Sequence, residues 1–405
     1  MRIAGVGCSL ADFLYSEVDF NSPAFARLRS RRRGDGGIEP GRLVFLEAFE
    51  EYAGMSYQEA VRELVGEKEW DSLNVGGPSV VALILAAQLL APRGIEVGYY
   101  GVVGDDEIGR RILSIVGKTP LNIEHYETIP GRSPFTMVLS DPHYDAGHGE
   151  RAFVNNIGTS WHYGPDDLPE SFFEADIVLF GATGLVPQLH DHLTGLVKKA
   201  KEKGCITVVT TVFDFRNEKK NPGGKWPLGE NEETYRHTDL FIADHEEALR
   251  ISGQENPEDA CRYFRDNGVG AFVITHGPNP VTYFSEGRLF GGCGPTTLPV
   301  SQVVVDKLTS GETISGDTTG CGDNFAGGML ASLAVQLARY PRGELRLAEA
   351  VATGNCAGGA ARFHLGGMII ESTPGEKAAQ IETLYRAYYA QVAERCQLNP
   401  TFLSG

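Results

Sequence analysis

Short apolar, β-branched runs alternate with stretches of helical period along most of the chain. The runs Asp176–Phe180, Ile206–Thr210, Leu240–Ala243 and Ala271–Thr275 are almost continuously apolar, the pattern of strands buried on both faces. Between and after them, His190–Lys203, Glu246–Ser252 and Pro257–Asn267 carry helical spacing. Strands alternating with helices make βαβ units, and right-handed crossovers then give an α/β fold with a doubly wound, mainly parallel sheet and helices on both faces. In such a sheet ligands bind beyond the carboxyl ends of the strands, so the loops after these runs are where chemistry is expected.

Two stretches break the rhythm. Residues 21–72 begin with a polar segment holding Arg27, Arg29, Arg31, Arg32 and Arg33, then Gly34 to Gly37, and continue as a helical pattern from Leu43 to Val65; they read as an insertion. From Arg132 to Asn156 the alternating runs Phe135–Leu139 and Arg151–Val154, around a loop from Asp141 to Glu150, predict an antiparallel hairpin, a natural lid on a parallel sheet.

Composition narrows the function classes. The chain has 405 residues, 42% of them hydrophobic, and a formal net charge of -17. That balance is globular, and it argues against nucleic-acid binding, which needs a basic face to displace counterions. The most apolar run, Val80–Ala91, contains Gln88 and is well short of the roughly 20 residues a bilayer span needs. Asp12 arrives too early for a secretory leader, so a cytoplasmic protein is expected. Seven scattered cysteines without a Cys-x-x-Cys pair point to neither a disulfide framework nor a zinc site.

The most specific segment is Gly316-Asp-Thr-Thr-Gly-Cys-Gly-Asp323, followed by Asn324 to Gly328 and an apolar helical pattern. Gly320 and Gly322 let backbone N–H groups converge at a helix start, where the dipole and the unpaired donors favour an anion. Asp323 stands inside that cradle, placed to accept a proton from a hydroxyl attacking a phosphoryl group.

With these residues the chain resembles the ribokinase-like, or PfkB, family of carbohydrate and nucleoside kinases, whose signature is Asp-Thr-x-Gly-Ala-Gly-Asp; Cys321 stands where the family has Ala. The resemblance implies Asp323 as catalytic base, Gly320, Cys321 and Gly322 as anion-hole amides, and Asp317 near the monovalent-cation (K+) loop of some members. Gly7 to Asp12 matches the family's Gly-x-x-x-x-Asp, with Asp12 bonding substrate hydroxyls, and Gly76-Gly77 matches its Gly-Gly signature. Val81 replaces the Asn expected four residues after Gly77, which puts ordinary ribose or fructose recognition in doubt. Asp106 in Gly104-Asp-Asp-Glu-Ile-Gly109 matches another substrate acid, and Gly149-Glu-Arg151 a lid segment in which Arg151 faces substrate or solvates the hairpin. Asp244 and Glu247 fall on the family's Asn-x-x-Glu magnesium motif, while Thr275, Gly277 and Asn355 match positions beside ATP.

The resemblance runs from Gly7 to about Gly367, with 21–72 and 295–314 longer than usual. It implies one ribokinase-like α/β kinase domain over 1–405, with a β lid formed mainly by 131–157 and parts of the N-terminal region. The function implied is transfer of the γ-phosphoryl group of ATP, with Mg2+, to a hydroxyl of a small sugar-like substrate, with no nucleic acid or membrane partner. A nucleoside kinase and a catalytically silent sugar- or nucleotide-binding relative stay open, as does a homodimer through the lid. Gly117-Lys-Thr119 and Gly5-Val-Gly7 each lack the glycines of the phosphate loops they suggest, and His190-Asp-His192 reads as a solvated helix start rather than a zinc pair.

Overall fold

The computed structural model describes residues 1–32, 34–147, 150–310, 318–364, 366–393, 396 and 398; Arg33, Gly149, Gly316 and Asp317, named above, lie outside them. In chain order the strands are β1 (Arg2–Gly7), β2 (Leu10–Tyr15), β3 (Leu43–Phe45), β4 (Ser72–Gly76), β5 (Glu96–Gly104), β6 (Asn122–Ile129), β7 (Phe135–Asp141), β8 (Glu150–Asn156), β9 (Ile177–Gly181), β10 (Ile206–Thr210), β11 (Leu240–Asp244), β12 (Ala271–His276), β13 (Asn279–Ser285) and β14 (Cys293–Leu298). The main sheet runs β14-β13-β12-β11-β10-β9-β1-β5-β6. Every pairing from β12 to β6 is parallel, and β13 and β14 extend one edge antiparallel.

Alternation along single strands shows both faces covered. Ile177 and Leu179 join a core with helices Pro78–Leu90, Cys321–Leu337 and Leu347–Ala361, while Val178 and Phe180 join the opposite core with helices Leu193–Glu202 and Pro257–Asp266. Each fully buried aliphatic or aromatic side chain in these layers contributes roughly 1.5–3 kcal/mol of transfer free energy. The continuous apolar runs are the consequence: a strand with helices on both sides has no polar face to keep.

A second sheet, β3-β8-β7-β2-β4, stands over the carboxyl ends of β1 and β9. Its hairpin β7–β8 comes from the alternating stretch at 132–156, and a short helix, Tyr144–Gly147, sits in the connecting loop. Residues 21–72 lie between β2 and β4 and depart from the single helical pattern expected there. Leu43–Phe45 is a strand paired with β8, and the helix divides into Leu46–Ala53 and Tyr57–Val65. Gly54 closes the first in a left-handed cap (φ 67), and Ser56 with Glu59 opens the second in a capping box.

His190–Lys203 is likewise divided, into Pro187–Asp191 and Leu193–Glu202. The reason is His190, expected in solvent but only 5% exposed. Its ring is held between Thr183 Oγ1 (3.0 Å) and the Pro227 carbonyl (3.1 Å), which turns the first segment inward.

Candidate active site

Two helix N-termini meet beneath the second sheet. Gly77 heads Pro78–Leu90 and Gly320 heads Cys321–Leu337. The helices pack so closely that a Cβ on Gly327 would lie 2.5 Å from the Ala82 carbonyl oxygen. Gly320 takes φ 75 with its α-carbon against Gly367, so a side chain there meets both backbone strain and a backbone clash. Asn324, 3% exposed, fixes this corner by donating its amide to the Gly320 (2.8 Å) and Gly367 (2.9 Å) carbonyls. Val81, the departure from the family pattern, is buried against the same Gly367.

At the head of Cys321–Leu337 the Gly322 and Asp323 N–H groups have no acceptor among the described residues, as expected for a first turn. The Cys321 N–H is instead turned back to the Thr318 carbonyl at 3.3 Å, which corrects its expected share in the anion hole. Gly322 is exposed, and a Cβ there would enter open space. Asp323 is half-buried, and burial pushes its carboxyl up to about 7. Burial, followed by the carboxylates of Asp12 and Asp323, pushes the Cys8 thiol up, so both acids lie around that buried residue.

Asp12 belongs to a rung that crosses the whole second sheet: Asn74, Asp12, Thr136, Asn155 and Phe45 are successive partners in β4, β2, β7, β8 and β3. Residues paired across strands share a face. Gly76 has no side chain because a Cβ would lie 2.0 Å from Asp12 Oδ2. Two residues before Phe153 on β8, Arg151 reaches from the second sheet to the cradle, donating to Thr318 Oγ1 at 2.9 Å and to Thr319 Oγ1. Asp106, expected to meet substrate, has its carboxylate taken up by the chain: it accepts from Gly109 N (2.8 Å), Ser133 N (2.9 Å) and Ser133 Oγ (2.6 Å). It caps Glu107–Val116 and ties that helix to the base of the hairpin.

Asp244 and Glu247 form a reciprocal capping box at the end of β11, Asp244 exposed and Glu247 buried. Burial, then the Asp244 charge, raises the Glu247 carboxyl, which accepts from Thr211 Oγ1 at 2.5 Å; Asp323 adds to the same field. Thr275 pairs with Asp244 in register, and Gly277 (φ 52) turns the chain just beyond. His245 and His276, which lie inside these two segments and carry no expected role, stack with ring centroids 4.0 Å apart. Asn355 departs from expectation. It is 7% exposed and gives its amide to the Pro299 carbonyl (3.2 Å) and Tyr388 Oη (3.0 Å), bracing two helices rather than facing a nucleotide. The structure thus gathers Asp12, Gly76, Gly77, Arg151, Gly320, Gly322 and Asp323 around the head of Cys321–Leu337, with Asp244, Glu247 and Thr275 to one side.

Residues 57–374 match the profile of the pfkB family carbohydrate kinases. This chain belongs to that family. It is a phosphotransferase with an alcohol group as acceptor. Over 312 residues the pfkB chain is 25% identical to the aminoimidazole riboside kinase of Salmonella typhimurium, covering 76% of this chain and 88% of that one. In fold it is similar to the adenosine kinase of Sinorhizobium meliloti (TM-score 0.65, 18% identity, 94% and 98% of the two chains). It is similar too to a putative ribokinase II from E. coli in complex with ATP and Mg2+ (TM-score 0.61, 15% identity, 94% and 99%). The pfkB match begins at residue 57, so Gly7 to Asp12 lies outside it. No helix among the described residues is long and apolar enough to cross a membrane.

Proposed function

We propose that this chain transfers the γ-phosphoryl group of ATP to a hydroxyl of a small sugar or nucleoside-like molecule, with Asp323 taking the hydroxyl proton. The observation that carries this reading is Asp323 itself: a carboxyl raised by burial to about 7, at the head of a helix whose Gly322 and Asp323 amides point to no described acceptor. A base works best with a pKa near the operating pH, and amides fixed beforehand stabilise charge without reorganising.

The chain suits a nucleotide where it is open: a Cβ at Gly322 would occupy a space that no atom of the described residues fills. Bound Mg2+ and ATP supply the phosphoryl group and offset its charge. Asp244 and Glu247 would hold the cation, and Thr275 and Gly277 would border the nucleotide. Asp12 orients the acceptor hydroxyls and Arg151 carries positive charge from the second sheet to the cradle, so the sheet acts as a lid that excludes water from the transfer. Asp317 remains the position assigned to a monovalent-cation loop. A reaction that consumes ATP suits the cytoplasmic location expected from the sequence.

The test is ADP release from ATP and Mg2+ across sugars, sugar acids and nucleosides, beside Asp323→Asn. We expect one acceptor class to be turned over and the substitution to lower kcat by at least about a thousandfold while ATP binding, followed by calorimetry, persists. Full activity in Asp323→Asn removes the residue from the reaction.

A further inference from the structure

Beside the site runs a cavity of about 860 Å3 that no residue so far assigned to the reaction explains. Phe45 and Phe153 of the second sheet form one wall and, from the segment after β10, Phe213 and Phe215, the first residue of helix Phe215–Lys220, form the other. All four rings are half-buried, so each keeps a face toward the opening. Phe45 meets Phe215 edge-on (centroids 6.2 Å, 83°), and Phe213 meets Phe215 at 4.6 Å. Arg42 and Lys219 stand exposed at the rim. Residues 34–48, part of the long segment between β2 and β4, supply much of the remaining wall.

Two observations join this cavity to the transfer site. The first is the rung across the second sheet, which carries polar side chains from Asn74 through Asp12, Thr136 and Asn155 and ends on Phe45. Within it Asn155, 1% exposed, gives its amide nitrogen to Thr136 Oγ1 at 2.8 Å, while its Oδ1 is buried with no hydrogen-bond partner among the described residues. A buried acceptor left unmatched is costly unless something donates to it. The second is the floor: Cys8, Leu10, Ala182 and Leu185 form one apolar cluster, and Phe45, Val212 and Phe215 pack against it. It leads from Cys8, beside Asp12 and Asp323, to the aromatic walls.

Taking the kinase reading as given, we infer that this cavity holds a flat heteroaromatic group carried by the phosphoryl acceptor, so that the acceptor is a glycoside of nucleoside type rather than a bare sugar. The sugar lies along the Asp12–Asn155 rung, with a hydroxyl donating to Asn155 Oδ1, and the ring system stacks among the four phenylalanines. A cavity of this volume is in the range that encloses drug-sized ligands. Aromatic faces select flat π-systems, and polar groups at the rim meet ring substituents. A bare pentose or hexose would leave the aromatic end unfilled.

The experiment compares adenosine, inosine and aminoimidazole riboside with ribose, fructose and 2-keto-3-deoxygluconate as acceptors, for the wild type, Phe215→Ala and Phe215→Leu. We expect the ribosides to have the higher kcat/KM. The ratio of riboside to bare-sugar kcat/KM should fall about tenfold in both variants, through KM rather than kcat, the order that losing one stacking face produces. Leucine preserves the packing on Val212 and Leu185, so a fall in Phe215→Leu reports stacking and not misfolding. Riboside affinity is also measured by calorimetry on Asp323→Asn without ATP. Binding there that weakens with Phe215→Leu supports the cavity even if no acceptor is turned over and the kinase reading fails. Preference for a bare sugar, a ratio unmoved in both variants, or a cavity occluded by a second copy in solution overturns it.

Discussion

A carboxyl held near neutrality at a helix head makes activity depend steeply on pH. The ordinary Asp value is near 3.9, and Asp323 is raised to about 7 by burial. A base must be ionised, so kcat/KM should fall about tenfold per pH unit below about 7, level off above it, and lose that limb in Asp323→Asn. The stability consequence has the opposite sign. Folding favours the protonated form, so this group's contribution is fully present below its unfolded pKa and is lost as pH rises through about 7. Asp323→Asn should accordingly raise Tm at pH 8 more than at pH 5, read by scanning calorimetry; an equal shift at both would place the carboxylate in solvent. The aspartate was legible because its neighbours Gly320 and Gly322 stand within three residues of it. The imidazole of His190 was not: Asp214, 3.6 Å away, and Pro227 are distant in sequence, and nothing local to residues 190–192 signals burial. Asn355 failed for a related reason, since its helix position was right but Pro299 and Tyr388 reach it first.

At the scale of elements, the second sheet is fastened to the main one at two points of different kind. Asp106 and Ser133 join helix Glu107–Val116 to the foot of the hairpin through three hydrogen bonds to one carboxylate. Asp106→Ala should cost about 1–2 kcal/mol as a lost cap and hairpin anchor, read as a lower urea midpoint at unchanged m-value. Arg151 with Thr318 and Thr319 joins the far end of the hairpin to the cradle. Arg151→Ala should raise the KM for ATP or acceptor roughly tenfold with little change in urea midpoint, because its partners can turn to water; a stability loss as large as that of Asp106→Ala would make it a second anchor instead. The βαβ alternation of the main sheet was readable because burial on both faces leaves uninterrupted apolar runs. The second sheet was readable only at its hairpin. Leu43–Phe45 reads as the start of a helix, because Leu46, Phe49 and Ala53 continue its period, and only pairing with β8 makes it a strand. The rung from Asn74 to Phe45 depends on register between five strands, which no local pattern encodes.

For the molecule as a whole, the acidic total and the shape of the second sheet bear on partners. A net charge of -17 repels an anionic nucleotide at long range, so affinity for ATP rests on the local amides and the cation. Chelation of Mg2+ should therefore abolish ADP release and weaken ATP binding by more than tenfold, with recovery on adding the ion back. Oligomeric state follows from what covers the sheet. Its outer face, with Phe13, Phe135, Met137 and Val154, is buried in one core with Phe49 and Val61 of the helices between β3 and β4, and Tyr57 lies 5.3 Å from Phe135. Among the described residues the exposed large hydrophobics are Met1, Trp161 and Ile370, none of them in this sheet. Its edges are the short strands β3 and β4, poor templates for pairing. A stable homodimer buries roughly 1,200–2,000 Å2, and the covered face cannot supply it. Residues 21–72 are therefore expected to cover the sheet as a second subunit would in a dimer joined through its lid. Sedimentation velocity at micromolar concentration should give one species near the chain mass of 43.9 kDa; a species near twice that mass would mean that the helices at 46–65 leave the sheet to a partner.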